Sequence, residues 1–261
     1  MRITWLGHAS VLIESDGTRL LLDPVLGHRV GHLRRRYLVD ESSIDRIDAT
    51  LCSHAHLDHL DLRSLRSICR ASPACEWHAP RGAARVLERA KLAPVVRRQV
   101  DDDVVIGSLH TRSVPAAHGG ERMPWSHDEA GAEAVGFVMT TASGVRVWFA
   151  GDTSYDDVLE RVGRVDVALV PIGGWWRTLG PGHMDPQHAA RAVELVGARV
   201  AIPIHWGTYH PIGLLRMMRA MWDRPAVEFR EAVSSDVDVR ILQVGEQTTV
   251  DIDPSDLEHI E

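Results

Sequence analysis

The chain of 261 residues contains a single lysine, Lys91, only three cysteines, and no apolar run approaching the roughly 20 residues that a bilayer-spanning helix requires. Each shortage excludes something. Cys52, Cys69 and Cys75 form no even framework, and Cys52 and Cys69 fall on apolar faces, so they read as reduced core residues of an intracellular protein. Met1-Arg2-Ile3-Thr4-Trp5-Leu6 enters a strand pattern at once, without a charged leader or cleavage site, and the expectation is a soluble cytoplasmic protein. No Gly/Ser/Pro linker and no internal repeat divides the chain, so residues 1–261 read as one domain. Positive charge is also short: the formal net charge of −7 argues against a generic nucleic-acid binder. One local exception runs from His28 to Arg36, where Arg29, Arg34, Arg35 and Arg36 cluster. It reads as a solvated loop, with recognition of an anionic substrate or lipid head group as the second reading.

What the chain does have is concentrated. Ser53-His54-Ala55-His56-Leu57-Asp58-His59-Leu60-Asp61 places four metal-competent side chains within six residues, directly after the apolar run Ala49-Thr50-Leu51-Cys52. Imidazole and carboxylate are donors that Zn²⁺ and related divalent ions accept, and a cation offsets the cost of crowding such groups at the edge of a core. His54 and His56 are two apart, so an extended strand end aims both to one side. Beyond them Leu62, Leu65, Ile68 and Cys69 recur at helical spacing, and the turn into that helix aims Asp58 and His59 at a neighbouring ion. Asp58 also suits a plain helix N-cap. Four donors in this order at a strand-to-helix junction nevertheless favour metal binding.

The rest of the chain supplies further donors. Strands are expected at Arg2 to Leu6, Val11 to Glu14 and Arg19 to Leu22, with a turn at Asp16-Gly17, and then over 75–79, 95–100, 104–106, 109–115, 135–141, 145–150, 165–172, 199–204, 237–244 and 247–252. Helices are expected over 59–71, 81–90, 154–162, 185–196 and 212–222, and a frayed tail over 253–261. His118, Asp152 and His205 each stand where one of these strands ends, at the position where α/β sites collect. The two oxygens of Asp152 suit it to touch two ions ~3.5–4 Å apart. His8, after Gly7, and Asp23, before Pro24, are candidates to receive or orient the outer ring nitrogens of ligand histidines. Trp175, Trp176 and Arg177 lie in an irregular glycine-rich stretch, where a substrate pocket competes evenly with simple core packing.

The run His54, His56, Asp58, His59, followed in order by His118, Asp152 and His205, resembles the metallo-β-lactamase superfamily. Trp5-Leu6-Gly7-His8-Ala9-Ser10, Asp23-Pro24, Phe149-Ala150-Gly151-Asp152-Thr153, His183-Met184-Asp185-Pro186 and Ile204-His205-Trp206-Gly207-Thr208 are similar to the branch containing N-acyl-phosphatidylethanolamine-hydrolysing phospholipase D. Ascorbate-6-phosphate lactonase is a more distant comparison. The resemblance implies an α/β four-layer αββα sandwich, two mixed β-sheets flanked by helices, with the site at one edge. It implies His54, His56 and His118 on a first ion, Asp58, His59 and His205 on a second, and Asp152 bridging them. It also brings His183 near the reaction centre as general acid or oxyanion donor.

The expected chemistry is hydrolysis by water that two divalent ions activate, Zn²⁺ first, with Mn²⁺ and Fe²⁺ compatible with the same donors. Asp58 would hold or orient that water, His183 and Arg177 would offset charge developing on the substrate, and Trp175 and Trp176 would grip its apolar or ring portion. The expected substrate is a small anionic or lipid-like phosphodiester, with a lactone or other ester second; a homo-oligomer is compatible with the sequence. Two readings from other classes use the same ligands. A non-catalytic metal sensor predicts lost donors, whereas all seven are present, and a redox iron protein of this type carries a flavin domain for which no chain is left over.

Overall fold

The computed structural model describes residues 1–40, 44–122, 132–174, 179–218 and 222–251. Period-two alternation builds its central layers. Val11, Ile13, Leu20 and Leu22 enter one apolar cluster, whereas Leu12 and Leu21, one residue out of phase, enter another. The strands carrying them belong to a seven-stranded sheet in the order Gln247–Thr249, Arg2–Gly7, Ser10–Ser15, Thr18–Leu22, Ala49–Leu51, Glu76–Pro80, Val95–Arg98. A second seven-stranded sheet runs Asp238–Val239, Val200–Ile204, Val167–Pro171, Arg146–Phe149, Glu133–Thr140, Leu109–Gly119, Asp103–Ile106.

The two sheets share a core in which Val11 and Leu22 of the first join Val114, Phe137, Val147 and Phe149 of the second. Each such buried side chain contributes roughly 1.5–3 kcal/mol. On the outer face of the first sheet, Leu65 and Ile68 of helix Leu62–Ala71 and Ala83 and Leu87 of helix Arg81–Arg89 pack with Leu12 and Leu21. Helices Pro186–Leu195 and Arg224–Ala232 contribute Ala189, Val193 and Phe229 to the cluster of the second sheet. The layers are therefore helix, sheet, sheet, helix, the sandwich that the resemblance implied. Among the described residues no helix is long and apolar enough to cross a membrane.

Several elements differ from expectation. The first helix is capped by Asp61, which accepts from the backbone N–H groups of Arg63 and Ser64, so Asp58 is released from capping. Among the described residues of the stretch expected as helix over 212–222, Leu215–Met218 is helical, its start delayed by Gly213, which adopts a left-handed turn with φ +88°. Helix Arg224–Ala232, which starts at the Arg224-Pro225 pair, was not foreseen. The segment expected as helix over 154–162 is a 3₁₀ helix, Asp157–Val162, and the closing strands shrink to Asp238–Val239 and Gln247–Thr249. The expected frayed tail lies outside the described residues.

The arginine run is not a plain solvated loop. It forms the strands Arg29–Val30 and Leu33–Arg35 of a third, three-stranded sheet completed by Tyr209–Pro211. Arg35 is buried and donates to the carbonyls of Leu6, Val25 and Tyr37 and to the Tyr209 hydroxyl. Arg36 donates through Nη1 to the Gly207 carbonyl at 2.9 Å. Two of the four arginines thus tie this loop to the segment that follows His205.

Candidate metal centre

The parallel strands Thr18–Leu22 and Ala49–Leu51 of the first sheet, and Arg146–Phe149 and Val200–Ile204 of the second, end at a common edge. Asp23 and His54 follow the first pair, and Asp152 and His205 follow the second. Tight backbone places the side chains there. Gly7 has φ +97°, and a β-carbon at that position would meet the Arg35 guanidinium and Thr208, so the turn that presents His8 admits only glycine. His8, Asp23 and His205 themselves have φ of 53°, 40° and 63°, a region that non-glycine residues adopt only when their surroundings hold them there. For His8 the hold is explicit: its N–H donates to Thr208 Oγ1 at 2.6 Å, and its carbonyl accepts from His205 N at 2.8 Å.

Two groups of donor atoms result. In the first, His56 Nδ1 lies 3.0 Å from His54 Nε2 and 3.1 Å from His118 Nε2. In the second, His59 Nε2 lies 3.1 Å from His205 Nε2, and His205 Nε2 lies 3.9 Å from Asp58 Oδ2. Between the groups sits Asp152, only 1 % exposed, with Oδ2 3.0 Å from His59 Nε2 and Oδ1 3.3 Å from His205 Nε2. His183 joins from the rim, its Nε2 3.3 Å from Asp152 Oδ2. His8 enters the second group directly, with Nε2 3.1 Å from Asp58 Oδ2 and its ring 3.8 Å from that of His205.

The outer ring nitrogens decide the chemistry of the inner ones. His205 Nδ1 meets the Gly173 carbonyl at 2.8 Å, His118 Nδ1 the Gly182 carbonyl at 2.8 Å, and His183 Nδ1 the carbonyls of Gly180 and Pro181 at 3.2 and 3.1 Å. His59 Nδ1 meets Asp23 Oδ2 at 2.7 Å. His54 Nδ1 meets Ser53 Oγ at 2.9 Å, and that hydroxyl is itself committed as a donor to Asp23. None of these acceptors has a proton to give, so Nδ1 carries it in these five rings, and in a neutral ring Nε2 keeps its lone pair, whereas His56 turns its Nδ1 inward and can carry its proton on either nitrogen. Facing lone pairs about 3 Å apart repel unless a proton or a cation lies between them. Their spacing resembles that of ligand atoms sharing one ion at bonds of ~2.0–2.1 Å. Asp152 Oδ1, buried without a hydrogen-bond partner, has the same need. The donor set therefore fits divalent cations.

Charge follows from burial and neighbours. Burial pushes His56 down to about 4 and His205 to about 3, and lowers His54 and His118 as well, which keeps these rings neutral. At His59 burial acts the same way, but Asp152 and Asp23, one at each ring nitrogen, outweigh it and raise its pKa well above the usual histidine value. Burial also penalises the carboxylates of Asp58 and Asp152. The facing histidines outweigh it and hold both well below the usual carboxylate range. A proton on His59 relieves the second group of donors; in the first, a proton on His56 Nδ1 can serve only one of the facing Nε2 atoms of His54 and His118 at a time.

A pH dependence follows for the metal-free protein. His56 and His205 stay neutral in the fold but take up protons on unfolding below their ordinary value of 6.5, so stability falls as pH drops from 6.5 toward about 4. Each contributes a slope of about 1.4 kcal/mol per pH unit in that window. His59 and His183, both raised, are protonated in either state below 6.5 and add no slope there. The urea midpoint of the metal-free chain should be lower at pH 5 than at pH 7; equal midpoints would contradict this assignment.

Asp23 holds the centre from behind. Fully buried, it accepts from Ser53 N at 2.7 Å, from Ser53 Oγ, and from His59 Nδ1. Asp23→Asn is expected to weaken metal affinity about 10–100-fold by loosening His59 and His54 together, read as the free-ion concentration at half occupancy in a metal-buffered titration. Unchanged affinity would make Asp23 a fold residue only.

The structure thus brings together His54, His56, Asp58, His59, His118, Asp152, His183 and His205, with His8 and Asp23 against them. Trp175, Trp176 and Arg177 lie outside the described residues. Supports that escaped the sequence reading are Ser53 and the carbonyls of Gly173, Gly180, Pro181 and Gly182. Main-chain acceptors leave no side-chain signature, but Ser53, adjoining the histidine run, was available to find.

Residues 18–206 match the family described as Beta-lactamase superfamily domain. The chain is 33 % identical over 258 residues to a UPF0173 metal-dependent hydrolase of Methanopyrus kandleri, covering 94 % of this chain and 98 % of that one. It is 29 % identical over 237 residues to N-acyl-phosphatidylethanolamine-hydrolyzing phospholipase D 1 of Caenorhabditis elegans, covering 80 % of this chain and 64 % of the relative. Among solved structures, a metallo hydrolase from Ignicoccus hospitalis superposes with a TM-score of 0.70 at 21 % identity, over 96 % of this chain and 98 % of that one.

Proposed function

The chain belongs to the β-lactamase superfamily domain family and is a metal-dependent hydrolase of that superfamily, and on that premise we propose that it hydrolyses a small or lipid-like phosphodiester at a pair of divalent ions, Zn²⁺ first. The observation that carries this reading is the convergence of lone pairs from both sheets on Asp152. His54, His56 and His118 would hold one ion and Asp58, His59 and His205 the other, with Asp152 shared between them. When bound, such ions lower the pKa of water to about 7 and polarise a phosphoryl oxygen.

The chain's own groups do the rest. Two divalent charges exceed the two carboxylates of Asp58 and Asp152, so the site favours an anion over a neutral substrate. Asp58, fixed by His8 Nε2 at 3.1 Å, is oriented to accept a proton from the attacking water. The His183 side chain is partly exposed, 22 %, while its Nδ1 is anchored on the carbonyls of Gly180 and Pro181. Its Nε2 is thereby aimed along the rim beside Asp152, where it can donate to the leaving oxygen. The relative named for hydrolysing N-acyl-phosphatidylethanolamine supports a lipid-like phosphodiester.

His183→Ala is expected to lower kcat about 10²–10³-fold while metal content and Tm stay unchanged; loss of metal would reassign His183 as a ligand. The reading as a whole is tested by assaying the metal-loaded protein against bis-para-nitrophenyl phosphate and a panel of lactones. Turnover of the diester is expected, and activity confined to lactones would reverse the assignment.

A further inference from the structure

The arginine run takes no part in the metal centre, yet its charge is arranged against its own interest. Arg29 and Arg34 stand directly opposite each other in the antiparallel pair formed by Arg29–Val30 and Leu33–Arg35. Like charges so placed destabilise a sheet. Neither they nor Arg216 are paired with a carboxylate among the described residues.

Beside this sheet lies a groove of about 660 Å³, lined among others by Arg34, Arg36, Tyr37, Ile212, Arg216 and Trp222, and among the described residues by no Asp or Glu. In a chain of formal charge −7 a basic groove whose described lining carries no acid is conspicuous. Its volume is that of a small-molecule site. One wall is preorganised: the Arg36 guanidinium lies 3.7 Å from the centre of the Trp222 ring and 4.9 Å from that of Tyr37, and its Nη2 donates to the Tyr37 hydroxyl at 2.8 Å. Trp222 is only 8 % exposed, and its indole N–H is a buried donor without an acceptor. Tyr37 and Ile212 remain 46 % and 48 % exposed, apolar surface left uncovered beside the charge.

We infer that this groove binds a small organic phosphate, separate from the substrate of the metal centre. Arg34 and Arg216 take the phosphate, because planar guanidinium forks match its oxygens and nothing else neutralises them. Tyr37 and Ile212 cover the organic portion. A concave wall of arginines suits a discrete ligand better than a bilayer, which needs an apolar face that can be laid flat on it. The inference does not depend on the reaction proposed above.

A site-resolved experiment tests it on the full, metal-loaded chain. Phenylglyoxal labelling of Arg34 and Arg216, read by peptide mass spectrometry, should slow about tenfold in phenyl phosphate, with exposed Arg230 as the unaffected internal control. Inorganic phosphate should need about tenfold higher concentration for the same protection, since it lacks the ring. Arg34→Glu should remove the protection of Arg216 while leaving diester turnover unchanged. Labelling that phenyl phosphate does not slow, or that inorganic phosphate slows equally well, overturns the inference. So does protection by anionic phosphatidylglycerol vesicles without protection by phenyl phosphate, which would make the face a membrane contact.

Discussion

Asp152→Ala is expected to lower kcat/KM by about 10³-fold or more, a transition-state loss of roughly 4 kcal/mol, and to loosen both ions. The size follows from position. Asp152 is buried between the two donor groups, and its oxygens lie within 3.3 Å of His59, His205 and His183. No neighbouring carboxylate can substitute: Asp23 is spent on Ser53 and His59, and Asp58, fixed by His8, already serves the second group of donors. Without Asp152 the centre loses the one negative charge shared by both halves, along with the group that fixes their separation. Asp152→Asn, which keeps the shape but removes the charge, should lose less activity yet still bind metal more weakly. Steady-state kinetics together with metal analysis of the purified variants checks this. Full turnover by the alanine variant would exclude a bridged pair.

Stripping the metals with a chelator should lower Tm by about 10 °C, and returning Zn²⁺ should restore it. A ligand present at a thousand times its dissociation constant stabilises the fold by about 4 kcal/mol. In a chain of this size each kcal/mol moves Tm by about 2–4 °C. The structure supplies the reason for a shift of this order: the Nε2 lone pairs of His54 and His118 both face His56 Nδ1 at about 3 Å, and a single ring proton there can satisfy only one of them. A Tm indifferent to chelation would mean that these contacts are satisfied without a cation.

The donors were legible in the sequence because each is a side chain standing where a strand stops. His54 and His56 follow the apolar run that becomes Ala49–Leu51, Asp152 follows Arg146–Phe149, and His205 follows Val200–Ile204. The sandwich was legible for a related reason: Leu12 and Leu21 alternate with Val11, Ile13, Leu20 and Leu22, and alternation assigns faces. What escaped depends on contacts between distant stretches. The sheet joining Arg29–Val30 and Leu33–Arg35 to Tyr209–Pro211 is held by short pairings and by Arg35 on three carbonyls, none of which local periodicity encodes. Asp61 rather than Asp58 caps the first helix, a choice settled by His8, some 50 residues away in sequence. Helix Arg224–Ala232 was missed although Pro225 and Phe229 marked its start and its buried face.

Anomalous scattering from crystals of the zinc-loaded protein, recorded at the zinc absorption edge, tests the centre most directly. The account predicts two peaks, one among His54, His56 and His118 and one among Asp58, His59 and His205, with Asp152 between them. A fully active crystal with a single peak, or with peaks elsewhere, would contradict it.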